Sequence, residues 1–327
     1  MFTAEILNKT PNIVEPTPEQ MLAYYSGKRL PRYTLGWPSV DFGLLRGQVV
    51  AISGYGNNGK GTFARQMALQ MHKLHGIKWA FWSPEDMPCE YFYADLIHTL
   101  TGKSTESHHS NFISESEYKD AYKYLLSCIK LIDYDDTMPN NEQLFEQFDR
   151  MHKEHGCDGF VIDPFNNVDI DFDAGRDDNI IRKIGLAARA WTRSRNVFVI
   201  IVMHPRSETG VKSGADAPCP ATRELHHGSE WGKILDDIIF YHHPTFTSDR
   251  SNTSRELKFA KVKKQKISGK AQTYVMTWNY EQNRIYDFGM ECGLDKVKIE
   301  VPIQQKPLTP NLKFDEPQIT ATDDLPF

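Results

Sequence analysis

Residues 47–62, Gly47-Gln-Val-Val-Ala-Ile-Ser-Gly-Tyr-Gly-Asn-Asn-Gly-Lys-Gly-Thr62, constrain this chain more than any other stretch. The apolar run Val49 to Ile52 predicts a short buried strand, and a helical pattern starts at Phe63. Between them lie Gly54, Gly56 and Gly59, with Asn57 and Asn58 beside them. Glycines let a backbone turn its N–H groups inward around a phosphate, and the following helix N-terminus adds a favourable field. Lys60 is placed to reach the terminal phosphates of a nucleotide. The pattern G-x4-G-K-[ST] is met except at its last position, where Gly61 replaces a Mg²⁺-ligating hydroxyl. Thr62, one residue on, is the nearest substitute. ATP and Mg²⁺ are the expected ligands.

The rest of the chain alternates strand and helix patterns. Strands are expected at Trp79–Trp82, Ile129–Ile132, Phe160–Ile162, Val197–Met203 and Ile238–Tyr241. Helices are expected at Phe63–Leu74, Tyr91–Leu100, Glu115–Leu126, Asn141–His155 and Asn179–Arg195. Their continuous apolar runs fit strands covered on both faces. The expected fold is α/β, a mostly parallel central sheet with helices on both faces. The β patterns at Leu257–Val262 and Ala271–Trp278 read as antiparallel strands added at one edge. Ahead of this core, Thr17-Pro-Glu-Gln20 reads as an N-cap, a helix-starting proline and a capping-box glutamine. The expected division is an arm and linker helix over 1–30, an ATPase domain over 31–290 and an acidic tail over 291–327.

Apolar residues make up 40% of the 327, enough for a core of about 250 residues. No run of 18 apolar residues is present, so no membrane span is expected, and the N-terminus lacks the plan of a signal peptide. Five scattered cysteines without C-x-x-C spacing fit a reducing cytoplasm, with neither disulfide framework nor zinc site. The net charge of −5 hides an asymmetry. Eight basic residues between Arg250 and Lys270 face only Glu256, whereas Phe314 to Phe327 holds four acids and no base. An acidic interaction tail on a core with local basic surfaces is expected.

Three strand ends carry candidate chemistry. Asp163 emerges from Gly159-Phe-Val-Ile, where a P-loop ATPase holds Mg²⁺. Glu85, in Ser83-Pro-Glu-Asp-Met87, is the candidate base for the attacking water, at the end of the strand expected beside the phosphate loop. Asp86 is the second choice. His204, following Val197–Met203, can touch the γ-phosphate and report hydrolysis to the long loop after it.

The segments GWPSVD, the phosphate loop, WSPEDM, FVIDPF and VIIVMHPRSE occur in an order that resembles the RecA-like motor of superfamily 4 replicative helicases. That group includes the DnaB type, the mitochondrial Twinkle type and the phage primase-helicases. The tripeptide His204-Pro-Arg206 resembles the Twinkle and phage branch. The resemblance spans about residues 17–288 and implies a RecA-like fold, a hexameric ring and His204 as phosphate sensor. It implies that Lys264 and Lys266, before Gly269, reach a neighbour's ATP site in the manner of K-x-R-x-x-G. Lys266 then replaces the usual arginine finger, a point charge for a planar fork. A solvated basic edge strand is the alternative reading.

The same resemblance implies DNA contact from loops at 166–178 and 206–228, with Arg176, Arg206, Lys212 and Arg223 as phosphate partners. Tyr286 resembles a base-stacking position of the phage relatives, with core packing the alternative. The end, Thr322-Asp-Asp-Leu-Pro-Phe327, resembles the tip of bacterial single-stranded-DNA-binding proteins. Phe327 with Asp323 and Asp324 would dock on a polymerase or primase; a disordered tail is the alternative.

Three functions are compatible with these residues. The first is a ring-forming, ATP-driven helicase on single-stranded DNA in phage-type replication, cytoplasmic and without a primase domain. The others are a RecA-like recombination ATPase that filaments on DNA, and an ATP- and DNA-binding loading adaptor that does not unwind. The helicase is the principal expectation.

Overall fold

The computed structural model describes residues 14–26, 31–134, 137–172, 175–206, 215–225 and 229–295. Helix α1 (Pro18–Tyr25) opens with the expected box: Thr17 Oγ1 accepts from the Gln20 amide, and Gln20 Oε1 accepts from the Thr17 amide. Such a cap stabilises by about 1 kcal/mol. None of the α1 residues is buried, and Met21, Leu22 and Tyr25 are exposed.

A small hairpin of β1 (Tyr33–Thr34) and β2 (Gly43–Leu44) leads into β3 (Gln48–Ser53) and α2 (Lys60–His75). The order continues β4 (Lys78–Trp82), α3 (Cys89–Thr101), α4 (Glu115–Cys128), β5 (Ile129–Ile132), α5 (Asn141–His155) and β6 (Cys157–Ile162). Then come α6 (Asp177–Arg195), β7 (Phe198–Met203), α7 (Ser229–Ile234) and β8 (Asp237–His242). The chain closes with β9 (Ser254–Val262), a helical turn α8 (Gln265–Ser268), β10 (Thr273–Asn279) and β11 (Arg284–Tyr286).

Nine strands form one sheet in the order β11-β10-β9-β8-β3-β7-β6-β4-β5. From β8 to β5 all neighbours are parallel, and β9, β10 and β11 extend the β8 edge antiparallel. The expected α/β architecture, a mostly parallel sheet with antiparallel edge strands, is therefore the one observed. Alternation along β3 divides the core. Val50 and Ile52 face Phe63, Met67, Phe92 and Leu96, while Val49 and Ala51 face Phe148, Phe160 and Trp191. Each such fully buried side chain contributes about 1.5–3 kcal/mol.

Two glutamines of α2 hold the far edge. Gln66 exchanges both hydrogen bonds with the Ile285 backbone at 2.6 and 2.7 Å. Gln70 donates to the Leu35 carbonyl and accepts from the Gly293 amide, each at 2.8 Å. Packing continues past residue 290, since Cys292 and Leu294 are buried against this helix's core.

Candidate nucleotide site

The C-terminal ends of the parallel strands meet on one side of the sheet, where open α/β sheets bind ligands. β3 delivers the phosphate loop there. A β-carbon at Gly54 would lie 2.1 Å from the Tyr241 carbonyl oxygen, so no other residue fits this approach to β8. Gly59 has φ 92° and is the N-cap of α2, with no side chain occupying the helix's free N–H groups. Asn57 takes the left-handed region at φ 59°, where asparagine is tolerated. Asn58 donates to the Gly56 carbonyl and accepts from the His243 amide at 2.8 Å, fastening the loop to the end of β8.

A cleft of about 240 Å³ brings together Gly56, Asn57, Gly59, Lys60, Gly61 and Thr62 with Glu85, Asp163 and His204. Lys60 is buried; its Nζ donates to the Tyr55 carbonyl at 2.8 Å and lies 3.4 Å from His204 Nδ1. Burial lowers the Lys60 pKa to about 8, against the opposing charges of Asp163 and Glu85. A bound phosphate would restore the charge that burial disfavours. Burial raises the Asp163 carboxyl to about 6, with Arg65 and Lys60 opposing and Asp86 and Glu85 adding to it.

The structure explains Gly61 and finds a residue that sequence reading missed. A β-carbon on Gly61 would stand 2.8 Å from Asp163 Oδ2 and 3.3 Å from Arg65 Nη1. Position 61, not Thr62, is thus directed at Asp163. The Thr62 hydroxyl accepts a long 3.4 Å hydrogen bond from Arg65 Nη2. Buried Arg65 pairs with Asp86 at 2.6 Å and with Asp95 at 2.9 Å. Ser83 Oγ also donates to Asp86 at 2.5 Å. Asp86 is therefore committed to holding Arg65, and exposed Glu85, contacted by Asn167 Nδ2 at 3.4 Å, is the carboxylate left facing the cleft. An arginine three positions after Thr62 carries no pattern that marks it as buried.

The reason given for Glu85 needs correction. β4 is not beside the phosphate loop; β7 and β6 lie between β3 and β4. Glu85 reaches the cleft through the short helical turn Pro84–Asp86. Sequence order carries no information about this crossover.

The remaining candidates lie apart from the cleft. Lys264 and Lys266 are exposed in and before α8, just past Val262 of β9. Val262 pairs with Asp237, so they sit at the opposite end of the sheet from the phosphate loop. Tyr286 is buried on β11, four strands from β3; its hydroxyl donates to Gln282 Oε1 at 2.5 Å and to Asp295 Oδ1 at 3.0 Å. Core packing, the alternative reading of Tyr286, is what this placement provides. Arg176, Arg206 and Arg223 are exposed; Arg176 makes two bonds to Asp178. Lys212, Asp323, Asp324 and Phe327 lie outside the described residues.

The cleft is not the largest concavity. A groove of about 640 Å³ runs between Trp37, Val40 and Leu74 and the turn at 291–295. It lacks the convergent phosphate-loop amides, lysine and carboxylates that distinguish the smaller cleft. Oxygen donors suit Mg²⁺, and buried Asp163 at the cleft floor fits it, with Thr62 nearby.

A P-loop ATPase fold of the RecA-like class is what this sheet and loop define. Among solved structures, the chain is similar to the ATPase domain of a helicase with a TM-score of 0.69 and 16% identity, over 84% of this chain and 99% of that one. It is likewise similar to a DnaB-like replicative helicase solved in a study of its interactions with primase, with a TM-score of 0.68 and 17% identity, over 86% and 68%. At such identity the likeness is one of fold. No protein-family model matches the chain, and no curated protein matches it. Among the described residues no helix is long and apolar enough to cross a membrane.

Proposed function

We propose that this chain is the ATP-hydrolysing motor of a ring-forming helicase that moves along single-stranded DNA. The observation that carries the reading is the division of basic groups between the two ends of the sheet. Lys60 converges with Asp163, Glu85 and His204 in one cleft, whereas Lys264 and Lys266 stand at the far end. A second copy placed head to tail would bring those lysines to the first copy's phosphates, and a hexamer closes such a contact into a ring. The unburied apolar face of α1 suits docking on that neighbour.

In this reading the phosphate-loop amides, the α2 N-terminus and Lys60 bind the triphosphate. Asp163, with Thr62, holds Mg²⁺, which when bound neutralises charge developing on the transferred phosphoryl group. Glu85 takes the proton of the attacking water. His204 sits beside Lys60, and its amide donates to Asn166 Oδ1 at 3.3 Å, joining the end of β7 to the first proposed DNA loop. The second loop returns to the same place: the Arg206 amide donates to the Glu224 carbonyl at 2.6 Å. Arg176, Arg206, Lys212 and Arg223 would contact the DNA backbone. The acidic tail, through Asp323, Asp324 and Phe327, would recruit a polymerase or primase in a phage-type replication system in the cytoplasm.

Adding single-stranded DNA to the purified oligomer should accelerate ATP turnover, and unchanged turnover would reject the motor. One observation favours a second reading, a loading adaptor with little turnover: Gly61 supplies no metal-ligating hydroxyl, and Lys266 no planar guanidinium.

A further inference from the structure

Asp236 lies at the end of the sheet remote from the cleft, directly before β8, and is buried. Its backbone amide donates to the Val49 carbonyl at 2.9 Å, and its Oδ2 accepts from the Val49 amide at 3.2 Å. Its Oδ1 receives Lys263 Nζ at 2.9 Å and Arg189 Nη2 at 3.4 Å, with Arg193 Nη2 at 3.9 Å. One carboxylate thus joins β3, which carries the phosphate loop, to α6, which follows the first proposed DNA loop. It also joins both to the residue immediately before Lys264.

The neighbouring contacts extend the same junction. The Lys263 amide donates to Asp237 Oδ1 at 2.9 Å, so residue 263 is held at backbone and side chain by two successive acids. Lys261 Nζ donates to the carbonyls of Gly232 and Leu235 at 2.8 and 2.6 Å, tying β9 to the end of α7. α7 is the element that follows the second proposed DNA loop. A buried charge needs such partners, but surface-compatible partners on one element would satisfy it. Here they come from every element leading to a proposed functional loop.

We infer that Asp236 is a positioning residue that sets the turn carrying Lys264 and Lys266 and links its placement to the two DNA loops. The inference rests on the proposed trans role of those lysines. Misplacing a catalytic group by about 1 Å costs about 10²-fold in rate. A group acting only in the transition state lowers kcat while leaving KM for ATP alone.

The test is a subunit-mixing assay with the full chain and saturating single-stranded DNA. Asp236→Asn keeps an acceptor for Val49 but loses the charge that holds Lys263. Alone it should lose about 10²-fold in kcat, with KM for ATP within about twofold. Mixed with Lys60→Ala chains, which cannot turn over ATP but donate an intact turn, it should regain activity well above the sum of the two. Lys263→Ala, a half-exposed position, gives the same result by the same route should Asp236→Asn fail to fold. Wild-type kcat in Asp236→Asn or, where that variant does not fold, in Lys263→Ala, or a mixture no more active than its parts, overturns the inference. A parallel mixture of Lys266→Ala with Lys60→Ala separates the two levels. If that mixture also fails to regain activity, the trans role itself is wrong and the inference falls with it.

Discussion

The carboxylate oxygen Oδ2 of Asp163 lies 2.8 Å from where a β-carbon would stand on Gly61. A Mg²⁺-ligating side chain at position 61 and the present seat of Asp163 are therefore mutually exclusive. Gly61→Ser, although it restores the hydroxyl of the general pattern, should displace Asp163 and raise the Mg²⁺ concentration for half-maximal ATPase by about tenfold. A Mg²⁺ titration of turnover reads this directly, and a lowered requirement would show that Asp163 moves without cost.

Lys60→Ala should abolish measurable ATP binding and turnover while leaving the fold intact. The side chain is a buried cation whose pKa has fallen to about 8, so burial already opposes its charge in the free protein. Binding of a fluorescent ATP analogue and circular dichroism together separate lost binding from lost folding.

The adjacent carboxylates Glu85 and Asp86 should respond oppositely. Glu85→Gln removes an exposed base and should lower kcat by about 10²–10⁴-fold without changing thermal stability. Asp86→Asn strips a partner from buried Arg65 and should cost about 3 kcal/mol of stability. Urea unfolding and steady-state kinetics on both variants check the division.

Asp237 gives a pH dependence. Burial first, then the charge of Asp236, raises its carboxyl to about 7, with Lys261 and Lys264 opposing. Unfolded, it titrates near about 3.9. Between these values the unfolded chain has released a proton that the folded chain keeps, so this group's contribution falls as pH rises and levels off above about 7. The gap corresponds to about 4 kcal/mol. Asp237→Asn should flatten that slope, with urea midpoints at pH 5 to 8 as the measurement.

The sequence made the β3 strand, the phosphate loop and α2 legible because their chemistry is local: an apolar run, glycines, a lysine and a helical period. The same holds for the strand ends at Asp163 and His204. What it did not reveal depends on contacts across the sheet. The order β3-β7-β6-β4, which separates Glu85 from the loop strand, is set by crossovers rather than by chain order. Arg65, Gln66 and Gln70 look like solvent-facing helix residues, yet their partners come from residues 86, 285 and 293. The basic run 250–270 read as one surface. In the fold Arg255 is buried against backbone carbonyls and Tyr280, and Lys261 is spent on the end of α7.

The most direct measurement is strand release from a forked DNA duplex by the purified chain. With ATP and Mg²⁺ the intact chain should separate the strands, and Lys60→Ala should not. Hydrolysis without strand release by the intact chain, or release by Lys60→Ala, would contradict the account.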